Sequence, residues 1–205
     1  SDGRQPVVAL DLLDSERAIW VMPANGGSSR SLGPKSNAGM ISPDGSRILI
    51  TRLTPGSDGL IRPTAEVVPA AGGAVLSSLP LPSQATNHAW SHDGASLTVI
   101  DRSDPAWNLA RIRLTGGPPE RVTHFTDGRC TAFDWSPDGG RLAVARRIGD
   151  ASNIWITSAD GSKPVQVTRF QGDEIFGLLW SKDGKSVVVS AGKRSSDAVL
   201  IRNFR

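Results

Sequence analysis

Asp134-Trp135-Ser136-Pro137-Asp138-Gly139 opens the stretch that decides the fold. The run Arg141-Leu142-Ala143-Val144 follows, then Asn153-Ile154-Trp155-Ile156, Asp160-Gly161 and Val165-Gln166-Val167-Thr168. Its first element recurs as Ser42-Pro43-Asp44-Gly45, Ser91-His92-Asp93-Gly94 and Ser181-Lys182-Asp183-Gly184. The glycines of these copies lie 49, 45 and 45 residues apart. Ser1-Asp2-Gly3 reads as a fifth copy cut inside its turn, 42 residues before Gly45. The residue types suit a tight turn. Pro presets φ near −65°, Asp bonds its own backbone, and Gly takes the positive φ that closes a hairpin. His92 and Lys182 replace Pro, yet Asp-Gly is kept.

A second element lies between these turns, an apolar strand followed by Gly-Gly or Asp-Gly. Its copies are Ile19-Trp20-Val21 with Gly26-Gly27, Val67-Val68 with Gly72-Gly73, Ile112 with Gly116-Gly117, and Ile154-Trp155-Ile156 with Asp160-Gly161. A last strand, Val199-Leu200-Ile201, stands near the end of the chain. Each unit thus holds four strand-sized runs. The first ends in Trp90, Trp135 or Trp180, with Met40 taken as the matching residue of the earliest copy. The second is apolar without alternation, as in Ile48-Leu49-Ile50 and Val187-Val188-Val189, which suits a strand buried on both faces. No segment carries a capped 3.6-residue period, so little or no helix is expected. Four strands and about 45 residues per unit predict an all-β fold, a β-propeller of four-stranded blades. The recurring Trp is then a wedge between blades. The expected repeats are approximately 1–36, 37–84, 85–129, 130–174 and 175–205, three full blades between two incomplete ones.

Composition agrees. The 205 residues suffice for one sizeable domain, with 22 Gly and 14 Pro for the turns. Charged residues make up 21%, and the net charge is only +3, with 18 Arg and five Lys. The lone Cys130 forms no internal disulfide, and three His with one Cys give no zinc spacing. No apolar run approaches the ~20 residues of a membrane helix. The chain starts at Ser1 rather than Met, so a missing signal peptide says little about export.

The Trp-Ser-Pro-Asp-Gly turn, the following Ile-Trp strand and the Asp-Gly turn resemble the WD-repeat-like propeller repeats of TolB. The resemblance implies a non-enzymatic binding, sensing or protein-interaction module outside the cytoplasm. Such repeats also form gating domains of prolyl-oligopeptidase-like peptidases and C-terminal parts of bacterial receptor-type kinases. The ending Ala198-Val199-Leu200-Ile201-Arg202-Asn203-Phe204-Arg205 resembles the tails of the kinase-attached propellers. The incomplete end repeats leave three arrangements open: part of a larger propeller, five reduced blades closed on themselves, or two chains completing each other.

Catalytic signatures are scarce. There is no Gly-x-Ser-x-Gly elbow, no His-Arg-Asp loop and no Asp-Phe-Gly. Gly184-Lys185-Ser186 lacks the preceding Gly of a phosphate loop, since position 179 is Leu. Asp44, Asp93, Asp138 and Asp183 are explained by their turns. Asp101 with Asp104, and Asp173 with Glu174, are the acid pairs a glycan-cleaving enzyme would use, and solvated loop acids are the simpler reading. No cofactor or metal site is expected. The candidate ligand-face residues are His88 on a first strand and Arg102, Trp107, Arg146, Arg147 and Arg194 on loops. A protein or peptide is the expected partner, and the surplus of Arg also admits a small anionic ligand or glycan. Aromatics beyond Trp107 are missing from these loops, so no nucleic acid is expected. Open end blades would favour a homo-oligomer.

Overall fold

The computed structural model describes residues 7–10, 18–22, 26–34, 36–55, 59–103 and 105–193. The Ser1-Asp2-Gly3 turn, Asp104, Arg194, the strand 199–201 and the kinase-like ending lie outside them.

The described residues form antiparallel sheets and no helix. Blade I holds β1 (Val7–Leu10), β2 (Ala18–Val21) and β3 (Arg30–Pro34). Blade II holds β4 (Ser36–Ile41), β5 (Arg47–Pro55), β6 (Ile61–Pro69) and β7 (Ser77–Pro80). Blade III holds β8 (Ala85–Trp90), β9 (Ser96–Asp101), β10 (Leu109–Arg113) and β11 (Glu120–Arg121). Blade IV holds β12 (Arg129–Trp135), β13 (Arg141–Ile148), β14 (Ala151–Ser158) and β15 (Val165–Gln166). Blade V shows β16 (Glu174–Trp180) and β17 (Val187–Gly192). The strands of each sheet follow chain order.

The recurring turn forms as its residues dictate. Gly45, Gly94, Gly139 and Gly184 stand at φ 75°, 64°, 69° and 67°. In the blade IV copy the Ser136 hydroxyl donates to Asp138 Oδ1 (2.6 Å) and accepts from Arg141 N–H (2.9 Å), while Asp138 Oδ1 accepts from Gly140 N–H (3.0 Å). Blades II, III and V repeat this arrangement. The serine hydroxyl and the main-chain N–H two residues past the aspartate hold the carboxylate inside the turn, and the serine bond is the first cause of the depressed pKa at Asp44, Asp93, Asp138 and Asp183.

Blades stack through apolar faces. Leu49, Val67, Trp90, Leu97 and Ile112 fill the space between blades II and III. Ile100, Leu109, Cys130, Leu142 and Val144 fill the next, and Ala143, Ala145, Ile154, Ile175 and Leu178 the one after. Each buried Leu, Ile or Val contributes about 1.5–3 kcal/mol. The middle strands β5, β9 and β13 carry unbroken buried runs because both faces are covered. Blade V differs from expectation. Val188 is 64% exposed, with Phe176 and Leu179, because no described blade covers that face.

The three tryptophans pack with residues of adjacent blades, and the register of the blade II position differs from expectation. Trp90, Trp135 and Trp180 pair with Leu97, Leu142 and Val187, and their counterpart in blade II is Ile41, paired with Ile48. Met40 sits one residue earlier and packs toward blade III, whereas Ile41 packs toward blade I. Each wedge is held by polar bonds. The Trp90 indole N–H donates to the Met40 carbonyl (3.2 Å), and that of Trp180 to the Asp134 carbonyl (3.2 Å). Over these rings lie Arg47 and Arg141, 5.3 and 4.7 Å from the centroids. The same guanidiniums donate to the turn carbonyls of Gly94 (2.9 Å) and Gly184 (3.1 Å). One arginine thus covers the next blade's Trp and clasps its turn.

Candidate functional site

The antiparallel order puts the Asp-Gly turns at one end of the blades. The connections between second and third strands, and those entering each first strand, lie at the other end. Side chains at that second end form the candidate site.

Two buttresses hold it. Asn108, immediately after Trp107, accepts at Oδ1 from the Thr123 hydroxyl (2.8 Å) and Phe125 N–H (2.9 Å), and its amide donates to the Phe125 carbonyl (3.0 Å). Asn153, Thr168 and Phe170 repeat this in blade IV. These bonds fasten each chain segment that leaves the fourth strand and leads to the first strand of the next blade. The second buttress is Arg146. It donates to the Asp127 carbonyl (2.6 Å) and carboxylate (2.7 Å), and its guanidinium lies 3.7 Å from the Phe125 ring centroid and 4.8 Å from that of Trp155. Arg146 is 3% exposed. The expectation that placed it on the ligand face is therefore corrected: a cation this far inside, between two rings and an acid, positions the loop rather than meeting a ligand.

The anchored loop delivers Arg129. Gly128 stands at φ 64°, and a Cβ there would come within 2.6 Å of the Arg147 carbonyl, so only glycine lets the loop pass so close. Arg129 then lies over Trp107, 4.9 Å from its centroid, and Arg102 lies over the same ring at 4.1 Å. Trp107 itself has φ 50°, a left-handed backbone that non-glycine residues adopt only when held. Arg147 is the ladder partner of Arg129 and contacts Glu174 at 3.5 Å. Gly128, Arg129, Arg147 and Gly149 line a recess of about 280 Å³. Among the described residues no carboxylate pairs with Arg102 or Arg129. The patch therefore offers guanidinium donors fixed on an aromatic platform, an arrangement suited to carboxylates.

The remaining candidates are spread out. Arg102, Trp107 and Arg147 come together as described. His88 sits apart on β8 beside Asn87, whose φ of 48° belongs to a bulge in that strand. Its Nε2 is buried with no hydrogen-bond partner among the described residues, and burial pushes its pKa down. Arg194 lies outside the described residues. Arg129 escaped the sequence reading, although the strand pairing with Arg147 gives it away once register is known. Among the described residues no group of three or more His, Cys, Asp or Glu gathers in a form that would hold a metal.

No protein-family profile matches the chain, and no curated protein does. Solved structures do match. TolB from Acinetobacter baumannii aligns with TM-score 0.71 and 17% identity over 90% of this chain and 45% of its own length. A TolB-assigned protein from Agrobacterium tumefaciens aligns with TM-score 0.71 and 18% identity over 94% of this chain and 72% of its own. The β-propeller domain of the Trilobed protease from Pyrococcus furiosus, which has an open velcro topology, aligns with TM-score 0.68 and 15% identity over 94% and 61%. The chain spans less than half of the Acinetobacter TolB. At these identities the likeness establishes the fold, a TolB-like β-propeller. None of the three is named a kinase.

Proposed function

We propose that this TolB-like propeller is a non-enzymatic binding module that engages an acidic segment of a protein partner through the Arg102–Trp107–Arg129 face. One observation carries the reading: two guanidiniums lie over one indole, 4.1 and 4.9 Å from its centroid, with no carboxylate of the described residues paired to either. Stacking on the ring holds the cations in place and leaves their edges free for carboxylate oxygens. A third guanidinium, Arg147, borders the same recess.

The setting proposed is a larger bacterial protein working outside the cytoplasm, in keeping with the TolB-like fold. A receptor-type kinase is the specific form that the ending 198–205 suggests. A gating propeller of a serine peptidase is the second reading, favoured by the likeness to the Trilobed protease propeller.

The test is fluorescence anisotropy with a labelled Glu/Asp-rich decapeptide at low salt. Saturable binding that weakens about tenfold or more in Arg102→Glu with Arg129→Glu supports the reading. Binding unchanged by the double reversal, or none at low salt, overturns it.

A further inference from the structure

The joint between blades III and IV departs from its neighbours at three points. Ser96 occupies the place of Arg47 and Arg141, five residues after the turn serine in each copy. The Trp135 indole N–H donates to the Thr98 hydroxyl (3.3 Å) rather than to a main-chain carbonyl. Among the described residues no guanidinium donates to the Gly139 carbonyl, the counterpart of those of Gly94 and Gly184. A cleft of about 460 Å³ opens there, bordered by Ser96, Trp135, Gly139, Asp93, Asp138 and Arg111.

We propose that this cleft binds the arginine side chain of a partner peptide, which stacks on Trp135 and donates to the Gly139 carbonyl. The chain supplies its own template: where Arg47 or Arg141 is present, a guanidinium lies over the Trp and bonds the turn glycine carbonyl. The surrounding charges suit a cation. Asp93 and Asp138 spend Oδ1 on their own turns, which leaves Oδ2 of each without a bond among the described residues. Both are held below the usual carboxylate range, so both are charged near neutral pH. Both cations on the cleft wall already have partners, that of Arg111 within the cleft itself, where its charge also acts on Asp93. Arg113 is paired with Glu120 (2.7 and 3.2 Å), and Arg111 donates to the Ala159 carbonyl (3.3 Å). A planar guanidinium matches the indole face better than an ammonium does. This site lies at the turn end of the blades, away from the arginine face.

The experiment is an amide and indole NMR titration of the full chain with N-acetyl-arginine-N-methylamide, beside the neutral citrulline analogue. Saturable shifts centred on the Trp135 indole and the Gly139 amide, about tenfold weaker for citrulline, support the proposal. Ser96→Arg and Ser96→Leu fill the cleft, and both are expected to abolish the shifts while keeping a folded spectrum. Equal response to citrulline, shifts centred elsewhere, or undiminished binding by a folded Ser96→Arg protein overturns it. Should neither variant fold, the comparison of the two ligands on the unaltered chain decides.

Discussion

Trp180 is bound to Asp134 at two points: its main-chain N–H donates to Asp134 Oδ2 at 2.8 Å and its indole N–H to the Asp134 carbonyl at 3.2 Å. Asp134 Oδ1 also accepts from Trp135 N–H at 3.0 Å, so one carboxylate ties two wedges. Partial burial pushes its pKa up, against the two N–H bonds, which pull it down. Asp134→Asn turns an amide toward one of those donors and costs about 1–2 kcal/mol at pH 7. The raised pKa means that Asp134 contributes more stability as pH falls through that value toward the unfolded ~3.9, a gain Asn does not share. Urea unfolding at pH 7 and about pH 4.5 checks this: the advantage of Asp134 over Asn grows at the lower pH.

The turn aspartates carry the opposite sign. Asp93, Asp138 and Asp183 are depressed, so their contribution is complete above the unfolded value near 3.9 and is lost as pH falls through their folded values. Carboxyl-carbon NMR titration is expected to show these three below 3.9 and Asp134 above it. Ser136→Ala removes the first cause of the Asp138 shift and moves that titration back toward the ordinary range.

Two glycines of positive φ are expected to respond very differently to alanine. Gly161 stands at φ 77°, and its new Cβ would land on the Val122 carbonyl of the preceding blade. Gly149 stands at φ 60° with open space around it. Gly161→Ala costs about 3 kcal/mol or more through backbone displacement, whereas Gly149→Ala costs about 1 kcal/mol. Thermal melts of the pair measure the difference.

The wedges are unequal. Trp90 is 7% exposed under Arg47, whereas Trp135 is only half-buried. Trp90→Ala is expected to cost about 3–5 kcal/mol and Trp135→Ala about 2–3 kcal/mol. Denaturant midpoints with an unchanged slope report each value.

Blade order and turn position were legible because glycine, Asp and Trp recur at fixed spacing for geometric reasons a single chain displays. Register was not. Met40 for Ile41 is a slip of one residue, and in a strand that reverses the face. The job of the turn serine also went unread, since a hydroxyl closing a ring with Asp leaves no hydrophobic signature. The Asn108–Thr123–Phe125 buttress repeats 45 residues later in Asn153–Thr168–Phe170, a pattern present in the sequence that polar residues hide from a search for apolar period. Arg146 and Arg147 are neighbours of one residue type with opposite fates. Alternation along β13 sends one to the interior and one to solvent, and only the packing of Phe125 and Trp155 says which.

The arginine clasps all point the same way along the chain, from one blade to the turn of the next. Blades II and IV carry the donor halves and blades III and V the acceptor halves, so the clasps join these blades two by two. Adding or removing such a clasped pair orphans neither half, whereas adding or removing a single blade does. The seam between blades III and IV is built differently, because Trp135 depends on a hydroxyl, Thr98, where Trp90 and Trp180 use main-chain carbonyls. A recombination that parted the chain at this seam would leave the Trp135 indole N–H without the partner it now has.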